Sequence, residues 1–427
     1  MAGSQSEPGI ATELLPQRWL VLVALIFAIF VLQFALIIMP GIAPTIIPEL
    51  GLTPAQFGML ANMPYLAGVL FGVIAGNWGD RMGIKKIMNI ALIVFIAGAF
   101  WRAFSNTYVM LMISSLVMGV GLAVLNANST KAIRLWFPGK AMGVGMGLYV
   151  AGASLGAGVA LKCGALWGTK LSLLVTAFSA VIVLAVWVLC YRTHPAEESD
   201  VSSTVNAGAF KEVMTNKYVW IVSILMFFMF GLSTTNQTYM NAVLGISSGG
   251  QLDVVGTLAL VSTIFVALSS IFGPLLIAKL KFLRWPMVIV CVVSAITVVG
   301  YVAVSFGAGT WVLMIINTLT LGVLLAMGKT VPALLPGIDP RNLGAVGGLQ
   351  STFQNLGGWV IAGYIIAPIA QGMYPGAVDA TGAMVFGMPT YIAIYAGAAI
   401  CALLMGVCYA LIPKNTPSHL LAEGETD

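Results

Sequence analysis

The amino-acid sequence predicts an all-α membrane protein of twelve transmembrane helices, arranged as two six-helix halves that are pseudo-repeats of one another. Three observations lead there. Of the 427 residues, 59% are hydrophobic and only 8% are charged, far below the ~25% charged residues of an ordinary soluble domain. Runs such as WLVLVALIFAIFVLQFALIIM, from Trp19 to Met39, exceed the ~20 apolar residues needed to cross a bilayer core. A stretch from the first part of the chain also returns in the second part. Porin-type barrels are excluded, because their strands alternate polar and apolar residues over about ten positions.

The spans follow in order at 19–44, 54–79, 85–104, 107–133, 141–164, 171–192, 217–243, 253–279, 286–306, 310–334, 343–371 and 386–412. Glycines, prolines and charge clusters punctuate them. Arg81, Lys85 and Lys86 divide the second from the third. Lys131, Arg134 and Lys140 divide the fourth from the fifth, and Lys279, Lys281 and Arg284 the eighth from the ninth. The longest break, Thr193 to Lys217, is polar, charged and central. It reads as a linker (193–217) between an N-terminal half (1–192) and a C-terminal half (218–427).

With a cytoplasmic N-terminus, 15 of the 19 lysines and arginines fall on the inner side. Arg102, Lys162 and Lys170 mark outer ends, and Lys329 is left inside a span. The positive-inside rule then expects a multi-pass protein of the cell inner (plasma) membrane with both termini in the cytoplasm. The net charge of +5 is a topology signal, not a sign of nucleic-acid binding. The first eighteen or so residues lack the charged n-region and cleavage site of a signal peptide, so the first span is expected to direct insertion. The five cysteines lie in or at the ends of apolar runs without paired spacing, so no disulfide framework, zinc site or other metal is expected. The spans carry no His/Cys/carboxylate constellation and no GxxxxGK[ST] loop. Neither an enzyme nor a cofactor is expected.

The repeat sets ISSLVMGVGLAVLNANSTKAIRLWFPGKAMGVGMGL, from Ile113, against INTLTLGVLLAMGKTVPALLPGIDPRNLGAVGGL, from Ile316. Gly119 meets Gly322, Ala123 meets Ala326, Gly143 meets Gly344 and Gly147 meets Gly348. Lys329 falls opposite Asn126. Parallel six-helix repeats are a transporter architecture with the substrate site between the halves near the midplane.

GNWGDRMGIKK, Gly76 to Lys86, resembles the loop signature between the second and third spans of the major facilitator superfamily, and the twelve-span plan is similar along the whole chain. The resemblance implies alternating access, a small-molecule substrate, a lipid-embedded chain and a monomer. It also implies a gate at Gly76, Asp80, Arg81 and Gly83. There Asp80 accepts from N–H groups opening the eleventh helix near Asn342 and Gly344, holding the outward-facing state; the alternative is an ordinary charged loop. Ile84 departs from the usual basic residue. AFWRAFSNTYVMLMISSLVMGVGLAVLNANSTKAIRLWF, Ala99 to Phe137, is similar to the cyanate permease branch, which includes nitroimidazole transporters. Ser115 stands where many proton-coupled members carry arginine, which counts against proton coupling. YVAGASLGAG, Tyr149 to Gly158, is similar to the fifth-helix motif of exchangers without its proline. The second span lacks the arginine of nitrate porters, which counts against nitrate.

Lys329, in GVLLAMGKTVPALLP, has no carboxylate elsewhere mid-span to pair with. An intramembrane cation is expensive unless something offsets it. It can bind a substrate anion, snorkel to the cytoplasm, or bond the carbonyl near Gly328 that Pro332 frees. Arg102 reads as an outer-interface anchor or an anion guide, and Lys162 chiefly as an interfacial cation. Gln33, Asn126, Asn128, Thr234, Thr235, Asn236, Gln237, Gln350, Gln354 and Asn355 are helix-to-helix glue or the lining of a neutral hydrogen-bonding cavity. The expected substrate-binding set is Lys329, Asn126, Gln33, Asn236, Gln237, Arg102, Tyr149 and Gln354. The expected function is transport of a small cyanate- or carboxylate-like anion by uniport or exchange. Export of a neutral or weakly basic drug-like compound, or ligand sensing without flux, are the alternatives.

Overall fold

The structure is a computed structural model, in which residues 17–137, 141–193, 214–280, 282–334, 343–378 and 384–413 are described. Most of the expected linker, 194–213, lies outside them. The helices are α1 (Arg18–Gly41), α2 (Ala43–Glu49), α3 (Pro54–Met82), α4 (Ile84–Ala103), α5 (Tyr108–Trp136), α6 (Ala141–Cys190), α7 (Lys217–Ser247), α8 (Leu252–Ala278), α9 (Arg284–Ala303), α10 (Ala308–Thr330), α11 (Leu343–Val360), α12 (Ala367–Met373) and α13 (Met388–Leu411). Among the described residues, ten stretches are long and apolar enough to cross a membrane. One of them, in α6, turns back at Gly168 and supplies two spans. The 29-residue α3 completes twelve. A two-residue antiparallel pair, Ala377–Val378 with Met384–Val385, lies in the loop before α13.

Helix starts follow local chemistry. The Thr107 hydroxyl accepts from the Met110 N–H at 3.3 Å, and the Asn216 side chain from the Tyr218 N–H at 2.9 Å, each satisfying a donor that the first turn leaves bare. Large apolar side chains such as Leu70, Ile93, Phe178, Leu189, Ile296 and Leu411 are exposed on the outside of the bundle, where lipid would cover them.

Three boundaries differ from expectation. The break between the fifth and sixth spans is one residue, Gly168 (φ 70°, ψ 177°), a conformation open to glycine at little cost. The Gly-Asp-Arg motif is no loop: α3 runs to Met82 and α4 begins at Ile84, leaving Gly83 (φ 78°, ψ 150°) as the whole connection. The tenth span ends as an α-helix at Thr330 and tightens to a 3-10 turn over Val331–Leu334, because Pro332 cannot donate to the Gly328 carbonyl.

Within the first six spans, α1 packs along α6, and α5 lies between α3 and α4. Within the last six, α7 packs on α11 and α13, α8 on α10, and α9 on α13. The two sets meet along two seams, α6 with α8 and α3 with α11 together with its π-helical continuation Ile361–Ile366. Glycine makes the second seam possible. A side-chain carbon at Gly363 would lie 2.4 Å from the Met59 nitrogen, and one at Gly58 would lie 2.9 Å from the Gly363 Cα. Backbones approach this closely only where side chains are absent.

Candidate functional site: a cleft between the two sets of spans

The two described termini, Gln17 and Pro413, lie at the same end of the bundle, since an even number of spans separates them. The opposite, far end is closed by polar bonds across the seams. Asn241 of α7 donates to the carbonyls of Gly41 (3.1 Å) and Leu161 (3.0 Å). The Tyr239 hydroxyl donates to the Pro54 carbonyl at 2.8 Å. The Asn62 amide donates to Thr238 Oγ1 at 3.1 Å. Lys162 Nζ donates to Thr257 Oγ1 at 3.2 Å and lies 3.9 Å from an Asp253 carboxylate oxygen. Below this clasp, Leu36, Ile37, Pro40, Ala61, Asn62, Tyr65, Thr234, Gln237 and Thr238 line a recess about the size of one water.

At the terminal end, no hydrogen bond or ion pair joins the two sets among the described residues. A side-chain carbon added at Gly147, Gly347 or Gly348 would meet no atom within 4 Å. Among the described residues, polar bonds across the seams are found at the far end and not at the terminal end.

Lys329 stands at the terminal end, in the last turn of α10, where a cation is favoured by roughly 0.3–1 kcal/mol through the helix dipole. Its side chain is exposed, with protein packed around it. No hydrogen bond or ion pair holds its amine among the described residues. The carbonyl that Pro332 frees, Gly328 O, accepts from Gln350 Nε2 at 3.0 Å and not from Lys329, so the backbone-contact alternative for Lys329 is not what the structure has.

The expected site residues do not converge on one point. Counting ~1.5 Å per residue along each helix, Lys329 sits ~2 Å from the end of α10, and Tyr149, Asn126 and Gln354 sit ~12–17 Å above the terminal ends of theirs. Gln33 is higher, and Asn236, Gln237, Arg102 and Lys162 lie ~27–32 Å up. Arg102 and Lys162 are thus too far from Lys329 to share one small anion with it. Arg102 does not reach outward as an anchor: it is 1% exposed and donates to the Ala35 carbonyl at 2.9 Å inside the first six spans. Lys162 does not snorkel but crosses to α8. Asn236 faces away from the cleft, its Oδ1 accepting from the Tyr301 hydroxyl and its carbonyl from Tyr395 at 3.1 Å.

Gln237 does line the recess. Asn126 is exposed and Gln33 and Gln354 are half-buried, with no hydrogen bond among the described residues. The Tyr149 hydroxyl lies beside Ser129 without a hydrogen bond of normal geometry. Asn128 is glue, donating to the Ala75 and Val124 carbonyls, and Thr234 and Thr235 bond their own helix. Asn355 packs against Gly68. Of the expected gate, Gly83 is the α3–α4 turn; the side chains of Asp80 and Arg81, the surroundings of Gly76, and the Asn342–Gly344 side of the contact lie outside the described residues. Sequence reasoning missed Asn62, Thr238, Tyr239 and Asn241. Their one signal was polarity within an apolar span.

Twelve spans in two sets, with polar bonds across the seams at the far end, define a multi-pass membrane protein of the transporter type of architecture. The chain belongs to the major facilitator superfamily, whose family profile matches residues 23–363. It is 23% identical to the hexuronate transporter of Bacillus subtilis over 374 residues, 80% of this chain and 83% of that protein. It is 23% identical to the probable nitrate transporter NarT of Staphylococcus haemolyticus over 325 residues, 75% and 82% of the two chains. Some matches are partial. The uncharacterized transporter YebQ of Escherichia coli is 30% identical over 134 residues, 31% of this chain, and the chain spans only 29% of that relative's length. Among solved structures, a bacterial homolog of the human lysosomal transporter Spinster, inward-facing and unoccupied, superposes with a TM-score of 0.73 at 16% identity, covering 96% of this chain and 98% of that one.

Proposed function

We propose that this protein moves a small organic or inorganic anion across the membrane by alternating access, as a uniporter or anion exchanger. The observation that carries the reading is Lys329: an accessible amine, with protein packed around it, at the terminal end of the cleft, with no partner among the described residues. An anion is the partner that would offset its charge. The names of two relatives matched over most of their length, for hexuronate and nitrate, describe anions. With both termini cytoplasmic, the terminal end faces inward, and the halves 1–192 and 218–427 rock about the two seams. A cyanate-like substrate is the narrower form of the proposal.

The test is uptake into proteoliposomes of cyanate, nitrate, formate and glucuronate, with and without the same anion inside. An ion pair or charge-assisted bond is worth about 1.5–3 kcal/mol, so Lys329→Gln should lose about tenfold or more in kcat/KM, with Lys329→Arg keeping part. Wild-type uptake by Lys329→Gln, or transport of a nitroimidazole and of no anion, would overturn the reading.

A further inference from the structure

We infer that Gln350 is a positioning residue that keeps the Lys329 amine free for its ligand. The inference rests on the reading of Lys329 as the anion's partner. A lysine in the last turn of a helix has ready competitors for an anion, namely the helix's own unpaired terminal carbonyls. In α10 three carbonyls of the last turn already have donors. The Thr330 hydroxyl donates to the Ala326 carbonyl at 3.2 Å and lies 3.3 Å from the Met327 carbonyl, which also accepts from the Val331 N–H. Gly328 is the exposed weakness, because Pro332 removes its helical donor. Gln350 reaches over from α11 and fills that place at 3.0 Å.

The site is built for this reach. Gln350 is 6% exposed, so its amide must find a partner inside the protein. Gly328 lets α10 come close to α7: a side-chain carbon there would lie 2.7 Å from the Met226 sulfur. With the carbonyls at 326, 327 and 328 each given a donor, the ammonium gains less by turning back to them and stays available to solvent or substrate. Removing the Gln350 donor leaves a bare buried carbonyl next to an amine that can turn to it. The anion must then displace that bond.

The experiment reads the amine itself, without needing to know the substrate. Full-length protein in detergent is treated briefly with acetic anhydride, and acetylation of Lys329 is followed by mass spectrometry. Gln350→Met keeps the side-chain volume and removes the donor; Gln350→Leu is the second variant should the first fold poorly. Acetylation of Lys329 is expected to slow about tenfold in either, with other lysines unchanged. Adding Pro332→Ala to Gln350→Met restores a backbone donor for Gly328 and should restore the rate, a rescue that loss of packing would not produce. Equal acetylation rates in wild type and Gln350→Met, or no rescue by Pro332→Ala, would overturn the inference. The anion reading fails on a separate observation, wild-type anion uptake by Lys329→Gln.

Discussion

The Tyr239 hydroxyl donates to the Pro54 carbonyl at 2.8 Å, tying α7 to the start of α3 across the seam at the closed end. A hydrogen bond of this kind contributes about 0.5–1.5 kcal/mol, so Tyr239→Phe should raise the far-end-open population by roughly two- to tenfold. A cysteine placed at Ala61, in the recess below the clasp, reports it. Labelling by a membrane-impermeant maleimide from the far side should accelerate by that factor in the variant, and an unchanged rate would count against the clasp as a gate.

Asn241 bonds two carbonyls of the first six spans at once. Asn241→Asp replaces a donor by a carboxylate facing two acceptors. Transport should be lost near neutral pH. Part should return as the pH falls, above the ~4 of a free carboxylate, because burial and the two facing carbonyls favour the protonated group, which can again donate. Activity without pH dependence in this variant would contradict the assignment.

Lys162 and Asp253 also bridge the seam, at 3.9 Å, but their side chains are 34% and 74% exposed. Screened pairs of this kind contribute about 0–1 kcal/mol. Asp253→Asn should therefore change the uptake rate by no more than a few-fold. A loss of a hundredfold would mean that the pair does more than close the gate.

Gly363 touches the α3 backbone, with space for no side chain. Gly363→Ala forces the seam apart at a cost of about 1–3 kcal/mol. The variant should favour the far-end-open state, keeping binding from that side while uptake falls. Normal uptake together with normal maleimide labelling at Ala61→Cys would show that the contact yields without consequence.

The spans and Lys329 were legible because both rest on local contrast, a long apolar run and one charge within it. What the chain did with its polar residues was not. An asparagine in a span reads the same whether it bonds its own helix, as Asn128 does in part, or reaches the other set, as Asn241 does. The partners of Lys162 and Gln350 sit on helices remote in sequence, so only the fold could reveal them. The gap expected between 164 and 171 is closed because a single left-handed glycine, Gly168, turns the chain.

The most direct test of the central claim is a thermal-shift titration of purified wild type and Lys329→Gln with nitrate, cyanate, formate and glucuronate. A ligand that binds the folded state raises the melting temperature with concentration. The account predicts that at least one of these anions stabilises the wild type and that Lys329→Gln loses that stabilisation while its unliganded melting temperature holds. Equal stabilisation of both proteins would place the anion elsewhere and contradict the account.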